Sequence, residues 1–151
     1  MPNLPSQIAA GSGGFCFSKN ISKVDKAKIS KIFSVFGHYV EINEKLFDAL
    51  TSLSGSGPAF VFLFIEALVS AGRRLGLSKQ QAMVLAGSTV SGAAQMVLAT
   101  NEDPIKLVKQ VTSPGGMTIE GVNWLEKRKF VDTVGMAIEL AYKKSKKLMG
   151  E

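Results

Sequence analysis

The residues best suited to chemistry lie in one short stretch, residues 111–118, with the sequence VTSPGGMT. A Ser-Pro-Gly-Gly turn, with Thr118 at the predicted N-cap of a helix, would expose several backbone N–H groups at the positive end of a helix dipole. Such a site would hold a carboxylate or a phosphate without an arginine, and the Thr118 hydroxyl would be free to donate to a second ligand group. An ordinary capped helix after a loop fits the same spacing, so both interpretations stay open at this point.

Several other kinds of site are disfavoured by the residues present. The glycine-rich runs at 11–14 and 54–58 do not complete a GxGxxG after a strand, and no P-loop pattern occurs. We expect the second run to form a tight turn. The chain has one histidine, His38, and one cysteine, Cys16, which argues against a catalytic triad, a disulfide framework or a metal centre. We expect Cys16 to be a buried thiol in a strand.

The elements that must position the VTSPGGMT stretch change in type near residue 44. Before it, predicted strands at 14–17 and 39–42 flank a predicted helix at 24–36. Two strands are fewer than a sheet needs for independent stability, so their edges must pair with something else. After it, the spacing predicts helices at 44–53, 58–75, 79–100, 104–110, 118–127 and 130–148.

Two helices indicate self-association. Residues 59–65, AFVFLFI, are apolar on every side, which a surface helix of a small monomer cannot accommodate. The following helix is rich in Ala and Gly, which allow close approach of helix backbones. An obligate helical dimer is therefore favoured over a central helix wrapped within one subunit.

Composition and charge limit the remaining classes. The chain has 151 residues, 46% of them hydrophobic, which suits one average domain or one domain with a fragment of another. Its charge of +6 is spread evenly: eight Lys and Arg against five Asp and Glu in residues 1–75, and ten against seven in residues 76–151. We therefore expect no nucleic-acid partner. No targeting signal is visible and the longest apolar stretch is shorter than a bilayer span, so we expect a soluble, cytoplasmic protein without membrane contact.

Two long motifs carry a resemblance to a known family. LSGSGPAF at 53–60 and LVKQVTSPGGMTI at 107–119 resemble pyrroline-5-carboxylate reductase, and the likeness extends over essentially the whole chain. Members of that family begin with a Rossmann-type domain. The resemblance therefore implies a mainly α fold, in which residues 1–43 are the C-terminal end of the dinucleotide-binding domain. Residues 44–151 would form the helical substrate-binding and dimerisation domain.

The same resemblance implies an activity and partners. The family reduces 1-pyrroline-5-carboxylate to L-proline with NADPH or NADH in proline biosynthesis, and most of the cofactor site would lie outside this chain. The expected assembly is a homodimer, with a ring of dimers as a larger form. The alternatives are a non-catalytic truncated dimerisation module and a reductase of another cyclic imine.

Roles for single residues follow from the resemblance alone. The substrate carboxylate would be held by the backbone N–H groups of Met117 and Thr118. Thr118 would lie near the ring nitrogen, and Glu44 would favour the protonated iminium; these two are the expected catalytic residues. The expected substrate-binding residues are Ser113, Gly116, Met117, Thr118 and Glu44, the expected cofactor contacts are Gln110 and Asn3, and no metal is expected.

Overall fold

The computed structural model describes residues 1–149, and the backbone alone at residue 149. The chain divides into two compact units. Unit 1 is Met1–Phe60 with the chain from Val134 onward, and unit 2 is Val61–Thr133.

A strand, a helix and a second strand open the chain, as predicted. After a 3₁₀ turn at Leu4–Ile8 come β1 (Gly11–Phe15), α1 (Lys23–Ser34) and β2 (Gly37–Glu41). The two strands pair in parallel, from Gly11 opposite Gly37 to Phe15 opposite Glu41. Helix α1 packs on this pair through aromatic rings, since the Phe33 ring lies 5.0 Å from Phe15 and 5.2 Å from Tyr39.

The first strand begins earlier than its sequence predicts, at Gly11 rather than residue 14. Its three glycines have low strand propensity, so the sequence pattern does not predict a strand over these residues. They are needed because other backbone segments approach β1 closely. A Cβ on Gly13 would overlap the Met1 carbonyl oxygen, and a Cβ on Gly37 of the facing strand β2 would overlap the Gly11 carbonyl oxygen. The earlier register carries Cys16 past the end of the strand. The expectation of a buried thiol is therefore wrong, because Cys16 is exposed.

The expected tight turn at 54–58 is also wrong, because the chain stays helical there. A 3₁₀ turn (Glu44–Leu46), α2 (Phe47–Leu50) and a π-helical turn (Thr51–Gly55) lead into α3 (Gly57–Arg74). The Ser56 N–H donates to the Thr51 carbonyl five residues earlier, at 3.0 Å. Pro58 has no N–H, so it cannot donate to the Ser54 carbonyl in the α-helical pattern. That carbonyl accepts instead from Asn3 Nδ2 at 2.9 Å.

The rest of the chain is helical, and its bounds follow the predicted ones closely. Helix α4 has a capping box of Ser78 and Gln81, and Asp103 caps α5 through the Ile105 N–H. The small residues Ala82 and Ala86 on α4 pack against Val69 on α3, with Ile65 and Leu68 beside them. The elements after α3 are α4 (Lys79–Thr100), α5 (Pro104–Gln110), α6 (Met117–Lys127) and α7 (Phe130–Met149).

Helices α3 and α4 leave much apolar surface uncovered within one chain. Phe62 is 52% exposed and Leu63 70% exposed, whereas Val69, Ala82 and Ala86 are the buried apolar residues of the described chain. By length and composition, the helical run Glu44–Arg74 and helix α4 could each cross a membrane. Helices that another protein surface covers pass the same test, so this result alone does not choose between lipid and a partner subunit.

Candidate functional site

The VTSPGGMT stretch forms a tight loop that ends at the start of α6. The Gly116 N–H donates to the Ser113 carbonyl at 3.0 Å, which closes the turn. A Cβ at position 116 would lie 2.6 Å from Ser113 Oγ. Because Gly116 has none, the Ser113 hydroxyl lies directly against the beginning of the helix.

The N-cap of α6 differs from the prediction. Gly116, not Thr118, is the cap residue, so no side chain accepts from the first-turn N–H groups. The prediction put the cap two residues too late because threonine is a favoured cap residue, and the sequence does not show which glycine of the Gly-Gly pair ends the loop. Thr118 is instead the second residue of the helix. Its hydroxyl has no hydrogen-bond partner among residues 1–149.

This geometry creates an open donor site. The N–H groups of Met117 and Thr118 lie at the positive end of an 11-residue helix without a protein acceptor in the described chain. Both side chains are exposed, Met117 by 94%. The Ser113 hydroxyl, two N–H groups and the Thr118 hydroxyl therefore lie on one short loop and helix start, a combination suited to an anion that carries a second polar group.

Gln110 ends the helix that precedes this loop. Its Nε2 donates to Glu102 Oε2 at 2.9 Å, which fixes the side-chain amide against the segment between α4 and α5. The amide oxygen of Gln110 has no donor among residues 1–149. Gln110 is thus held in place with one acceptor free, and its expected role as a cofactor contact stays a prediction.

In unit 1, Glu44 lies beside a cavity at the carboxyl edge of the two parallel strands. The cavity has about 740 Å³ and is formed by the last residue of β2 and the residues that follow each strand. Ligands of open α/β sheets bind at this edge. Glu44 is exposed and follows Asn43, whose side chain caps the 3₁₀ turn by accepting from the Lys45 N–H. The lining residues are Cys16, Phe17, Ser18, Lys19, Glu41, Ile42, Asn43 and Glu44.

Sequence reasoning identified Glu44 but not this cavity. The predicted strand–helix–strand order was the signal that could have found it, because parallel strands bring their carboxyl ends to one edge. The edge was not predicted because β1 ends at Phe15, two residues before the end of the predicted strand. Cys16, which an in-strand position would have buried, now lines it.

The side chain of Asn3 makes several hydrogen bonds within unit 1. Its Nδ2 donates to the Ser54 carbonyl and to Ser12 Oγ, and its Oδ1 accepts from the Ser12 N–H at 3.0 Å. These bonds connect the amino end of the chain, β1 and the π-helical turn. Asn3 therefore holds three segments together, and its expected contact with a cofactor stays a prediction.

A metal site is not supported by the described residues. Within residues 1–149 no three His, Cys, Asp or Glu side chains are grouped so that they could hold an ion.

Comparison with known proteins identifies two sets of similar chains. A family model described as pyrroline-5-carboxylate reductase dimerisation matches residues 44–148. The pyrroline-5-carboxylate reductases of Synechocystis and of Arabidopsis thaliana are each 43% identical over 148 residues, which is 98% of this chain and 55% and 54% of those proteins. The chain thus spans about half the length of the curated relatives it matches.

Solved structures agree with these matches. The crystal structure of Plasmodium falciparum pyrroline carboxylate reductase with NADP bound is 41% identical, with a TM-score of 0.88. The match spans 100% of this chain and 62% of the Plasmodium chain. The Coxiella burnetii pyrroline-5-carboxylate reductase has a TM-score of 0.91 at 36% identity, over 98% of this chain and 55% of that one.

Proposed function

The chain belongs to the pyrroline-5-carboxylate reductase family, and from this premise we propose that it is the substrate-binding and dimerisation half of such a reductase. The reaction is the reduction of 1-pyrroline-5-carboxylate to L-proline. The observation that carries the proposal is the uncapped start of α6, where two N–H groups and the Thr118 hydroxyl face solvent together.

The substrate carries the two groups that this loop can bind. Its carboxylate accepts from the N–H groups of Met117 and Thr118, assisted by the Ser113 hydroxyl and by the close backbone approach that Gly116 allows. The Thr118 hydroxyl then lies near the ring nitrogen, where its oxygen can accept from the N–H of the protonated imine. The two contacts together orient the ring, which is the usual contribution of a protein to cofactor chemistry.

Glu44 is proposed as the second catalytic residue. A carboxylate near the imine nitrogen favours its protonated form, and the iminium carbon is the better hydride acceptor. The nitrogen keeps this proton when the carbon is reduced, which completes the secondary amine of proline.

NADPH or NADH supplies the hydride when bound. The residues proposed to contact it are Gln110, through its free amide oxygen, and Asn3, while the cavity at the carboxyl edge of β1 and β2 fits the position of such ligands in α/β sheets. No GxGxxG is present in this sequence, so the pyrophosphate needs residues outside it.

A second copy of the chain is the proposed partner of α3 and α4. The exposed apolar side chains on α3 are unfavourable in water, and covering them requires a second apolar surface. A homodimer supplies one by symmetry. The proposal includes a cytoplasmic location, with which a single unpaired cysteine is consistent.

Titration of L-proline into ¹⁵N-labelled chain tests the site. We expect saturable shifts of the Met117 and Thr118 amides, and none with L-prolinamide, which lacks the carboxylate. Thr118→Ala should weaken binding roughly 2- to 12-fold, as expected for one hydrogen bond. The control Thr112→Ala, whose hydroxyl donates to the Val108 carbonyl, should leave binding unchanged. Equal shifts with L-prolinamide, or silent α6 amides, would contradict the proposed site.

An assay of NADPH oxidation with 1-pyrroline-5-carboxylate tests the other half of the proposal. We expect the purified chain to dimerise but to show little or no turnover, because the residues for the pyrophosphate are absent from this sequence. Robust turnover would show that the 151 residues are a complete enzyme. The same inactivity combined with absent proline binding would favour the non-catalytic dimerisation module.

A further inference from the structure

An open surface depression of about 460 Å³ lies between the end of α3 and the start of α4, away from the residues assigned above, and every residue that lines it except Ser70 is exposed. All of its charged lining residues are cations: Arg73, Arg74 and Lys79. We call it the α3–α4 basic pocket; its lining is Ser70, Arg73, Arg74, Leu77, Ser78 and Lys79.

The three cations have no acidic partner in residues 1–149, where the ion pairs are Lys26 with Glu41 and Lys28 with Asp25. Arg74 Nη1 donates to Ser70 Oγ at 2.8 Å, which fixes one edge of the guanidinium and leaves its other N–H groups available. An arginine held in this way presents a planar fork that matches the oxygen atoms of a phosphate.

The start of α4 adds a second source of positive potential. Helix α4 has 22 residues, and its first turn contains Lys79 and no acidic residue. A cation at this end of a helix opposes the dipole. The capping box occupies the Ser78 and Gln81 N–H groups, while those of Lys79 and Gln80 have no acceptor within residues 1–149. Three side-chain cations therefore lie beside the positive end of α4 without an anionic partner in residues 1–149.

We propose that the α3–α4 basic pocket binds a phosphate group, either free or carried by a small phosphomonoester. A dianion there is attracted by all three cations, accepts from the fork of Arg74, and offsets the unfavourable interaction of Lys79 with the helix dipole. This ligand differs from the imino acid proposed at α6, and the two sites involve different helix starts.

The test is a titration of the ¹⁵N-labelled full chain with inorganic phosphate, replacing chloride at constant ionic strength. We expect saturable shifts of the Lys79 and Gln80 amides. The double variant R73Q/R74Q should raise the dissociation constant at least about tenfold, as loss of charge-assisted hydrogen bonds predicts. The matched control K143Q/K144Q removes two adjacent exposed cations from α7 and should leave the constant unchanged.

Other outcomes of this titration are equally informative. Shifts that grow linearly without saturation, or an equal loss in K143Q/K144Q, would overturn the proposal in favour of general charge screening. The single variant Lys79→Gln, expected to weaken binding less than the double variant, provides the same test if R73Q/R74Q loses its dispersed spectrum. Ribose 5-phosphate separates the two sources of the group: tighter binding than phosphate supports an ester, and equal binding supports the free ion. Proline binding is measured at the Met117 and Thr118 amides and phosphate binding at the Lys79 and Gln80 amides. The proposed function and the phosphate site can therefore fail independently.

Discussion

Leu63 provides the most direct test of the proposed dimer. It lies on α3 within the all-apolar segment and is 70% exposed in one chain. If a second copy covers α3, the Leu63 side chain leaves water on association. Replacing it by alanine removes most of the apolar surface that would be buried there, without adding a charge or changing a backbone constraint.

The expected magnitude follows from this exposure. Complete burial of a leucine side chain contributes about 1.5–3 kcal/mol, so covering the exposed 70% contributes about 1–2 kcal/mol per subunit. A two-fold interface contains the residue twice, which gives about 2–4 kcal/mol per dimer. The dissociation constant of Leu63→Ala should therefore rise roughly 30- to 1,000-fold.

Sedimentation velocity over a range of protein concentrations measures this constant. The matched control is Leu4→Ala, because Leu4 is 57% exposed but lies outside residues 44–148, which match the dimerisation family. We expect the control to dimerise as the parent chain does. The reasoning is refuted if Leu63→Ala dimerises as tightly as the parent chain, or if both variants weaken association equally.

Three further predictions concern stability, each measured by chemical denaturation. Asn3→Asp replaces the donor that faces the Ser54 carbonyl by a carboxylate and should lower the free energy of unfolding by about 1–3 kcal/mol. The control Asn43→Asp keeps its acceptor and should lower it little. Equal losses would contradict the role of Asn3 in holding the three segments together. Gly37→Ala adds a Cβ 2.0 Å from a backbone oxygen at a φ of +135° and should cost at least about 1–3 kcal/mol. Gly57→Ala, with nothing within 4 Å, should be tolerated, and similar losses in both would argue against strain. Ser78→Ala removes the cap of α4 and should cost about 1 kcal/mol, with no loss counting against the capping box.

The long helices could be predicted closely because their end signals are local. Helix α4 begins after a Ser-x-x-Gln capping box, and α5 begins at Pro104 after Asp103; both were predicted with their observed bounds. These signals depend on residues that are one to three positions apart in the sequence. No knowledge of the tertiary structure is needed to interpret them.

The features that could not be predicted depend on partners distant in sequence or on ambiguous glycines. The π-helical turn at Thr51–Gly55 is stabilised by a hydrogen bond from Asn3 to the Ser54 carbonyl, and Asn3 comes close to this turn only when the chain folds. The cap of α6 was placed at Thr118, whereas the Gly-Gly pair allows Gly116 to take that position. The second difference matters for function, since a side-chain cap would have occupied an N–H group that is open in the structure.

The small core of one chain connects folding to assembly. Val69, Ala82 and Ala86 are its buried apolar residues within the described chain, while α3 keeps large side chains in water. If a second copy covers that surface, stability depends on protein concentration. The thermal midpoint of the parent chain should then rise with concentration, and Leu63→Ala should reduce that slope. Asn3→Asp acts within unit 1 and should lower the midpoint equally at every concentration. If the thermal midpoint of the parent chain does not vary with protein concentration, the stability of the fold does not depend on dimerisation, and the reasoning is wrong.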